Sequence, residues 1–272
     1  MSSSLLVSFI GGGNMARSLI AGLIAAGTPA SAIEVIEPLD ALRADLAQRY
    51  GIITAASIAE ANLAAGSWVL AVKPQVMASV CSELAGRINT SQLVISIAAG
   101  ITTATLQHAL GSRARIVRAM PNTPALLGAG MSGLYAGSDV DASARAQATQ
   151  ILAAAGQVRW IDEESLMDAV TAVSGSGPAY LFAVAEAMEA AAVAQGLDAD
   201  SAHQLVVQTI IGAGRMLAES GQTPGQLRQA VTSPNGTTQA ALEVLQHGGL
   251  GTLFDAAIAA AAERGRQLAK SG

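Results

Sequence analysis

The stretch LLVSFIGGGNMARSLIAGLIAAG, residues 5–27, decides the fold. Leu5 to Ile10 is an apolar run of strand length that stops at three glycines. From Asn14 to Ala26, Met15, Leu19, Leu23 and Ile24 recur at helical spacing, and Gly27 marks the end. Strand, glycine turn and helix in that order begin a βαβ unit. Gly11, Gly13 and Ala16 fall on the three positions of the pattern G-x-G-x-x-G/A. Each has a physical task. Gly11 permits the tight turn, Gly13 lets the backbone approach a pyrophosphate, and the small Ala16 lets helix and strand pack closely. The free N–H groups at the helix N-terminus then meet the phosphates. The turn therefore predicts a dinucleotide site.

Working outward, a second short strand, Glu34–Glu37, ends in an acid 24 residues after Gly13. An acid there hydrogen-bonds a ribose 2′-hydroxyl and disfavours a 2′-phosphate. Glu37 thus favours NAD, or use of both nucleotides, over strict NADP. Arg43 is the nearest base, and no basic patch for a phosphate stands out. Leu39–Tyr50 reads as a polar helix closed by Gly51. Further strands are expected at Ile52–Thr54, Trp68–Val72, Leu93–Ala98 and Ile116–Ala119, with helices at about 75–85, 103–110 and 141–154. The run Val69–Val72 is apolar throughout, as suits a strand covered on both faces. Beyond residue 163 the strand signal vanishes. Asp168–Val173, Ala179–Gln195, Asp200–Ser220, Gly225–Ala230, Thr237–Gln246 and Leu250–Ala269 read as helices. The expectation is an α/β protein: a doubly wound, Rossmann-type sheet domain at 1–162, then an all-α domain at 163–272. The helix 179–195 is apolar almost all round, which calls for burial on every side. In so small a helical domain that burial comes from a second subunit, so this domain is read as the dimerisation domain.

Composition excludes several classes. The 272 residues are 51% hydrophobic and 13% charged, too apolar for a disordered chain. A net charge of −5 without a basic cluster argues against nucleic acid and anionic membrane surfaces. Charges, glycines or prolines interrupt every long apolar run, so no membrane span is expected. The N-terminal MSSSLLVSFIGGGNMARS lacks the basic segment of a signal peptide, which predicts a cytoplasmic protein. The single cysteine, Cys81, falls on a helix and reads as a small buried apolar residue. There is no HExxH, no Cys/His ligand set and no G-x-S-x-G, so no metal is expected and no serine-hydrolase elbow.

Obvious catalysts are scarce. His108, His203 and His247 each sit in an ordinary helical setting, and the two lysines are Lys73 and Lys270. Hydride transfer to a ketone normally needs an acid such as His or Lys. A protonated imine already carries the charge that hydride relieves, so positioning and hydrogen bonding suffice. The shortage points towards C=N reduction. Four segments look built for close approach: Ala71–Gln75 and Ala98–Gly100 at strand ends, Ser174–Pro178 before the long apolar helix, and Thr232–Thr238 before another. The last offers hydroxyls, turn residues and N–H groups at a helix N-terminus, suited to a carboxylate. A plain turn with Thr237 or Thr238 as helix cap explains it equally well.

The blocks FIGGGNMA (9–16), AVKPQ (71–75), SIAAGI (96–101), MPNTPA (120–125), AVSGSGPAY (172–180) and VTSPNGTT (231–238), in order over nearly the whole chain, resemble pyrroline-5-carboxylate reductases. The resemblance implies reduction of the cyclic imine 1-pyrroline-5-carboxylate to L-proline with NADPH or NADH, the last step of proline biosynthesis. It implies a homodimer with interleaved helical domains, further assembled into a decamer of five dimers. Carried over by position, Ile10, Gly11, Gly12, Gly13, Asn14, Met15, Glu37, Val72, Lys73, Pro74 and Ala99 would line the nucleotide. The substrate carboxylate would lie on backbone N–H groups of Gly236, Thr237 and Thr238, with Ser233, Ser176 and Glu164 in the same pocket. The Thr238 hydroxyl would hydrogen-bond the substrate nitrogen. Ala230 departs from the Asn common in relatives, Glu37 from their Ser or Asn, and Gly12 from the commoner Ala. Another imine reductase or hydroxyacid-dehydrogenase-like enzyme, or a non-catalytic nucleotide binder, would share this architecture. The lysine-free stretch from 74 to 269 speaks against the hydroxyacid branch, and the intact VTSPNGTT against the binder.

Overall fold

The structure is a computed structural model that describes residues 6–62, 64–111 and 114–271, with backbone alone at 270 and 271. Leu5 and the Lys270 side chain, both used in the sequence reading, lie outside the described residues. The chain divides into two compact units, residues 1–176 with 260–272, and residues 177–259.

The first unit is built on strands and helices in alternation. These are β1 (Val7–Ile10), α1 (Asn14–Ala25), β2 (Ile33–Ile36), α2 (Asp40–Tyr50), β3 (Ile53–Ala55), β4 (Ser67–Leu70), α3 (Pro74–Leu84), β5 (Leu93–Ser96), α4 (Thr103–Leu110) and β6 (Arg115–Met120). β7 (Gly130–Ala136), α5 (Ala142–Ala153), β8 (Gly156–Trp160) and α6 (Met167–Val170) follow. The strands form one sheet of order β3-β2-β1-β4-β5-β6-β7-β8. Every neighbouring pair is parallel except β6–β7, where Val117 pairs with Ala136 and Met120 with Gly133. Stepping outward from β1 in both directions makes the sheet doubly wound, with the first crevice where β1 and β4 diverge. β1, β2, β4 and β5 are buried at every position, which is why their sequences are mostly apolar without regular alternation, each with one buried polar residue: Ser8, Glu34, Ser67 and Ser96. One core cluster, with Phe9, Leu19, Leu23, Val35, Leu46 and Ile95, fills one face; another, with Trp68, Leu70, Cys81, Leu84 and Ile116, fills the other. Cys81 is a buried thiol, and its burial pushes its pKa up to about 11.

The sheet runs two strands past the sequence expectation. β7 and β8, GMSGLYA and GQVRW, carry glycines that hide their pattern, and β7 is antiparallel. The spatial division also falls at 176/177 rather than 162/163. Helical signal starts at 163, but α6 packs on β7, and Met167 and Ala172 are fully buried within the first unit. Instead of one helix over 168–173, the chain forms α6 and then a π-turn, Thr171–Gly175.

The second unit holds α7 (Gly177–Ala194), α8 (Ala199–Glu219), α9 (Pro224–Ala230), α10 (Thr237–His247) and the first part of α11 (Leu250–Ser271), whose end from Ala260 belongs to the first unit. Asp198 caps α8, and its bonds to the Ser201 N–H and hydroxyl hold its carboxyl below the usual range. α9 begins with a reciprocal capping box between Thr223 and Gln226. α7 and α8 pack together and bury Ala202 and Val206. No residue of α7 is buried in the single chain, although the helix is apolar nearly all round. Leu181, Phe182, Met188, Leu205, Ile211, Met216, Val244 and Leu253 stay exposed. So much exposed apolar surface is the mark of an interface. Among the described residues no helix is long and apolar enough to cross a membrane.

Candidate functional site

The first site is the glycine turn. Gly11 takes φ +100°, and its N–H is tied to the Ile36 carbonyl at 2.9 Å. A Cβ there would stand 2.9 Å from the Ala71 carbonyl oxygen, so both conformation and space demand glycine. Gly13 is the N-cap of α1 and brings no side chain to the first-turn N–H groups. Nothing lies within 4 Å of the place where its Cβ would be, leaving that approach open to a ligand. Ala16 is fully buried at the helix–sheet contact.

The turn opens on a cavity of about 600 Å³ at the C-terminal ends of β1, β2 and β4. Its walls include Ile10, Gly11, Gly12, Gly13, Glu37, Val72 and Lys73, bringing together most of the residues expected at the nucleotide. Four expected residues are not in its lining. Asn14 and Met15 form the first turn of α1, and Met15 packs on the core. Pro74 is the first residue of α3, and Ala99 lies beyond β5. Ile36, Leu39, Leu42, Ile58 and Val76 add an apolar wall that the motifs did not reveal. The volume is in the range of cavities that hold cofactors.

Glu37 is the charged anchor at one end. It is only 7% exposed, and its carboxylate accepts the Gly12 N–H at 2.9 Å and the Leu39 N–H at 3.1 Å. The acid therefore holds the glycine turn as well as facing the cavity. Its neighbouring cations are already engaged. Arg43 donates to the Glu37 and Pro38 carbonyls at 2.7 and 2.9 Å and pairs with Asp40. Arg17 pairs with Asp45 at 2.7 Å. Lys73, an exposed N-cap residue of α3, is the one cation among the described lining residues.

A second cluster in the same unit was not legible in the motifs. Arg118 on β6, 4% exposed, reaches Glu164 at 3.3 Å and Asp168 at 3.5 Å. Glu164 also accepts from the Thr103 N–H and hydroxyl at 2.7 and 2.6 Å. Both its oxygens are thus occupied by protein donors. Glu164 thereby fixes the start of α4 against β6. Ser176 follows the π-turn and is half-buried.

The second site is the start of α10 in the helical unit. Asn235 has φ +58°, the one non-glycine positive φ among the described residues. Its N–H is held by Gln239 Oε1 at 2.8 Å, and Gln239 in turn donates to Glu243 at 2.8 Å. Gly236 is the N-cap and offers no side chain, so neither Thr237 nor Thr238 caps the helix. A Cβ on Gly236 would collide with Ser233 Oγ. The loop thus curls tightly, brings Ser233 beside Gly236 and leaves the first-turn N–H groups of α10 without a side-chain cap. An uncapped helix N-terminus of this kind is chemically suited to an anion such as a carboxylate. Among the described residues no group of three or more His, Cys, Asp and Glu is placed to hold a metal ion.

A family model described as pyrroline-5-carboxylate reductase dimerisation matches residues 164–268, and one described as NADP oxidoreductase, coenzyme F420-dependent, matches residues 6–100. The chain is 48% identical over 264 residues to a pyrroline-5-carboxylate reductase of Pseudomonas aeruginosa, covering 97% of each chain. Its structure resembles that of a pyrroline-5-carboxylate reductase from Coxiella burnetii, with TM-score 0.93 and 42% identity over 98% of this chain and 99% of that one. It also resembles the Plasmodium falciparum pyrroline carboxylate reductase solved with NADP bound, with TM-score 0.86 and 29% identity over 97% and 98% of the two chains.

Proposed function

The chain belongs to the pyrroline-5-carboxylate reductase family, and from that premise we propose how its own residues divide the work of reducing 1-pyrroline-5-carboxylate to proline. The reductant is NAD(P)H. The observation that carries the division is the pair of open helix N-termini. One, at Gly13, faces a glycine-walled cavity, and the other, at Gly236, is left without a side-chain cap.

Ile10, Gly11, Gly12, Gly13, Val72 and Lys73 of the cavity wall would hold the nucleotide, with Asn14, Met15, Pro74 and Ala99 as neighbouring contacts and Glu37 at the ribose. The glycine turn and the α1 N-terminus take the phosphates, and the apolar wall excludes water. When bound, the nucleotide supplies the hydride. In the helical unit the N–H groups of Gly236, Thr237 and Thr238 take the substrate carboxylate, with Ser233 beside them; Ser176, the last residue of the first unit before the helical one, and Glu164 are further substrate-binding residues. The Thr238 hydroxyl accepts from the iminium N–H and orients the C=N bond. A protonated imine needs no proton donor at carbon, so hydrogen bonding and orientation account for the chemistry these residues supply.

The chain forms a homodimer through its helical segment. The exposed apolar residues of α7 and α8 support that segment as the contact surface, and assembly into a decamer of five dimers extends the same reading. A reduced nicotinamide substrate and a free, buried Cys81 fit a cytoplasmic location. The test of the site is Thr238→Ala. Loss of one transition-state hydrogen bond lowers kcat/KM for 1-pyrroline-5-carboxylate by about 10–100-fold. Unchanged kinetics would remove Thr238 from the site.

A further inference from the structure

Asn122 stands where β6 runs out, in the MPNTPA segment. It occupies the N-cap position of the short 3-10 turn Thr123–Leu127, a place where Asn ordinarily caps with its side chain. Here it makes no such bond. Its amide instead bridges two other segments. Oδ1 accepts the Met131 N–H of β7 at 2.8 Å, and Nδ2 donates to the Ser174 carbonyl at 3.0 Å. An N–H at one end and a carbonyl at the other fix which way the amide points.

Ser174 needs an outside donor for a reason written in the chain. Its carbonyl, in a regular helix, would accept from the N–H four residues on. That residue is Pro178, which has none. The backbone here is already wound wide as a π-turn, with the Ser176 N–H reaching the Thr171 carbonyl at 2.8 Å. Turns of this kind concentrate at functional sites. The turn also lies close on the sheet edge: a Cβ on Gly175 would come 2.7 Å from Met120 Cε. β6 is parallel to β5, β5 to β4 and β4 to β1, so Asn122 holds this turn at the edge where the nucleotide cavity opens.

We infer that Asn122 is a positioning residue for the reductase reaction: it supplies the hydrogen bond that Pro178 cannot, and so fixes the SGSG turn and Ser176 to the sheet. The inference rests on the reading that Ser176 lines the substrate pocket. Asn122→Asp keeps the shape and the acceptor for Met131 but turns a second acceptor on the Ser174 carbonyl. Initial rates are measured with each substrate varied in turn, alongside direct fluorescence titration of NADH. The expected result is a kcat/KM for 1-pyrroline-5-carboxylate lower by about tenfold, with NADH affinity within about twofold. Unchanged kcat/KM in folded enzyme, or an equal loss of NADH affinity, overturns the inference. A second arm restores the donor from inside the chain. Pro178→Ala returns an N–H to position 178, so Asn122→Ala costs less on that background than in the unaltered chain; simple additivity overturns the inference. Ser176→Ala reads the underlying assignment by itself. If it is silent, Ser176 leaves the substrate pocket, while the Asn122 arms still decide whether the turn is positioned from β6.

Discussion

Replacing Glu37 by Gln tests the nucleotide end of the site. The substitution keeps the side chain's size and one carbonyl acceptor for the Gly12 or Leu39 N–H, and removes the negative charge. In the unaltered chain that charge is 7% exposed at the end of β2, and its neighbouring arginines are committed to Asp45, Asp40 and local carbonyls. Among the described residues beside Glu37, no unengaged arginine is left to balance a 2′-phosphate. A phosphate of charge about −1.5 to −2 placed roughly 5 Å from the carboxylate is repelled by about 1.5 kcal/mol at the dielectric of water and about 5–6 kcal/mol at an effective dielectric of 20. The 2′-hydroxyl of NADH instead gains a bond to a charged acceptor, worth about 1.5–3 kcal/mol. Since each 1.4 kcal/mol is a factor of ten, the preference for NADH is at least about tenfold, and Glu37→Gln lowers it by at least that factor. The assay compares kcat/KM for NADH and NADPH at saturating 1-pyrroline-5-carboxylate in both proteins. A ratio in the folded variant equal to that of the unaltered chain would refute the reasoning and confine Glu37 to bracing Gly12.

Three further outcomes follow from the geometry. Gly11→Ala forces a φ of +100° on alanine and pushes its Cβ against the Ala71 carbonyl, so it costs at least about 1–3 kcal/mol of stability and abolishes nucleotide binding, read by thermal unfolding and NADH titration. Gly236→Ala drives a methyl into Ser233 Oγ, raising KM for 1-pyrroline-5-carboxylate and leaving NADH affinity unchanged in the same two assays. Cys81, with its thiol pKa raised from 9.0 to about 11, resists alkylation in the native protein near pH 8 and reacts on unfolding. The folded state holds that proton more tightly, so its contribution to stability is complete below pH 9 and is lost as pH rises towards about 11, which denaturant titrations at several pH values detect.

The parallel half of the sheet was legible because its strands are buried on both faces and so read as short, mostly apolar runs, β1 and β4 most plainly. β7 and β8 were not: Gly130 and Gly133 dilute one, and Gln157 and Arg159 alternate with half-buried residues in the other. The glycine turn was legible because steric demand at Gly11 leaves its mark on residue type. The identity of the acid at Glu37 was equally plain, but not its second bond to Gly12, which joins positions 25 residues apart. The Arg118–Glu164–Thr103 cluster escaped for the same reason, its members being separated by 46 and 61 residues. At α10, residue type left a threonine cap and an open carboxylate site equally possible; the backbone at Asn235 and Gly236 leaves the N-terminus without a side-chain cap.

The site proposed for this chain reduces a cyclic imine by positioning alone, without a lysine or histidine acid. The most direct measurement mixes the protein with 1-pyrroline-5-carboxylate and NADH or NADPH and quantifies proline formed against nucleotide oxidised. One proline is expected per nucleotide oxidised, faster with NADH, with no nucleotide oxidation by ketoacids and no reduction of oxidised nucleotide by β-hydroxyacids. Folded dimer that yields no proline with either nucleotide, or that turns over a ketoacid instead, would contradict that reading.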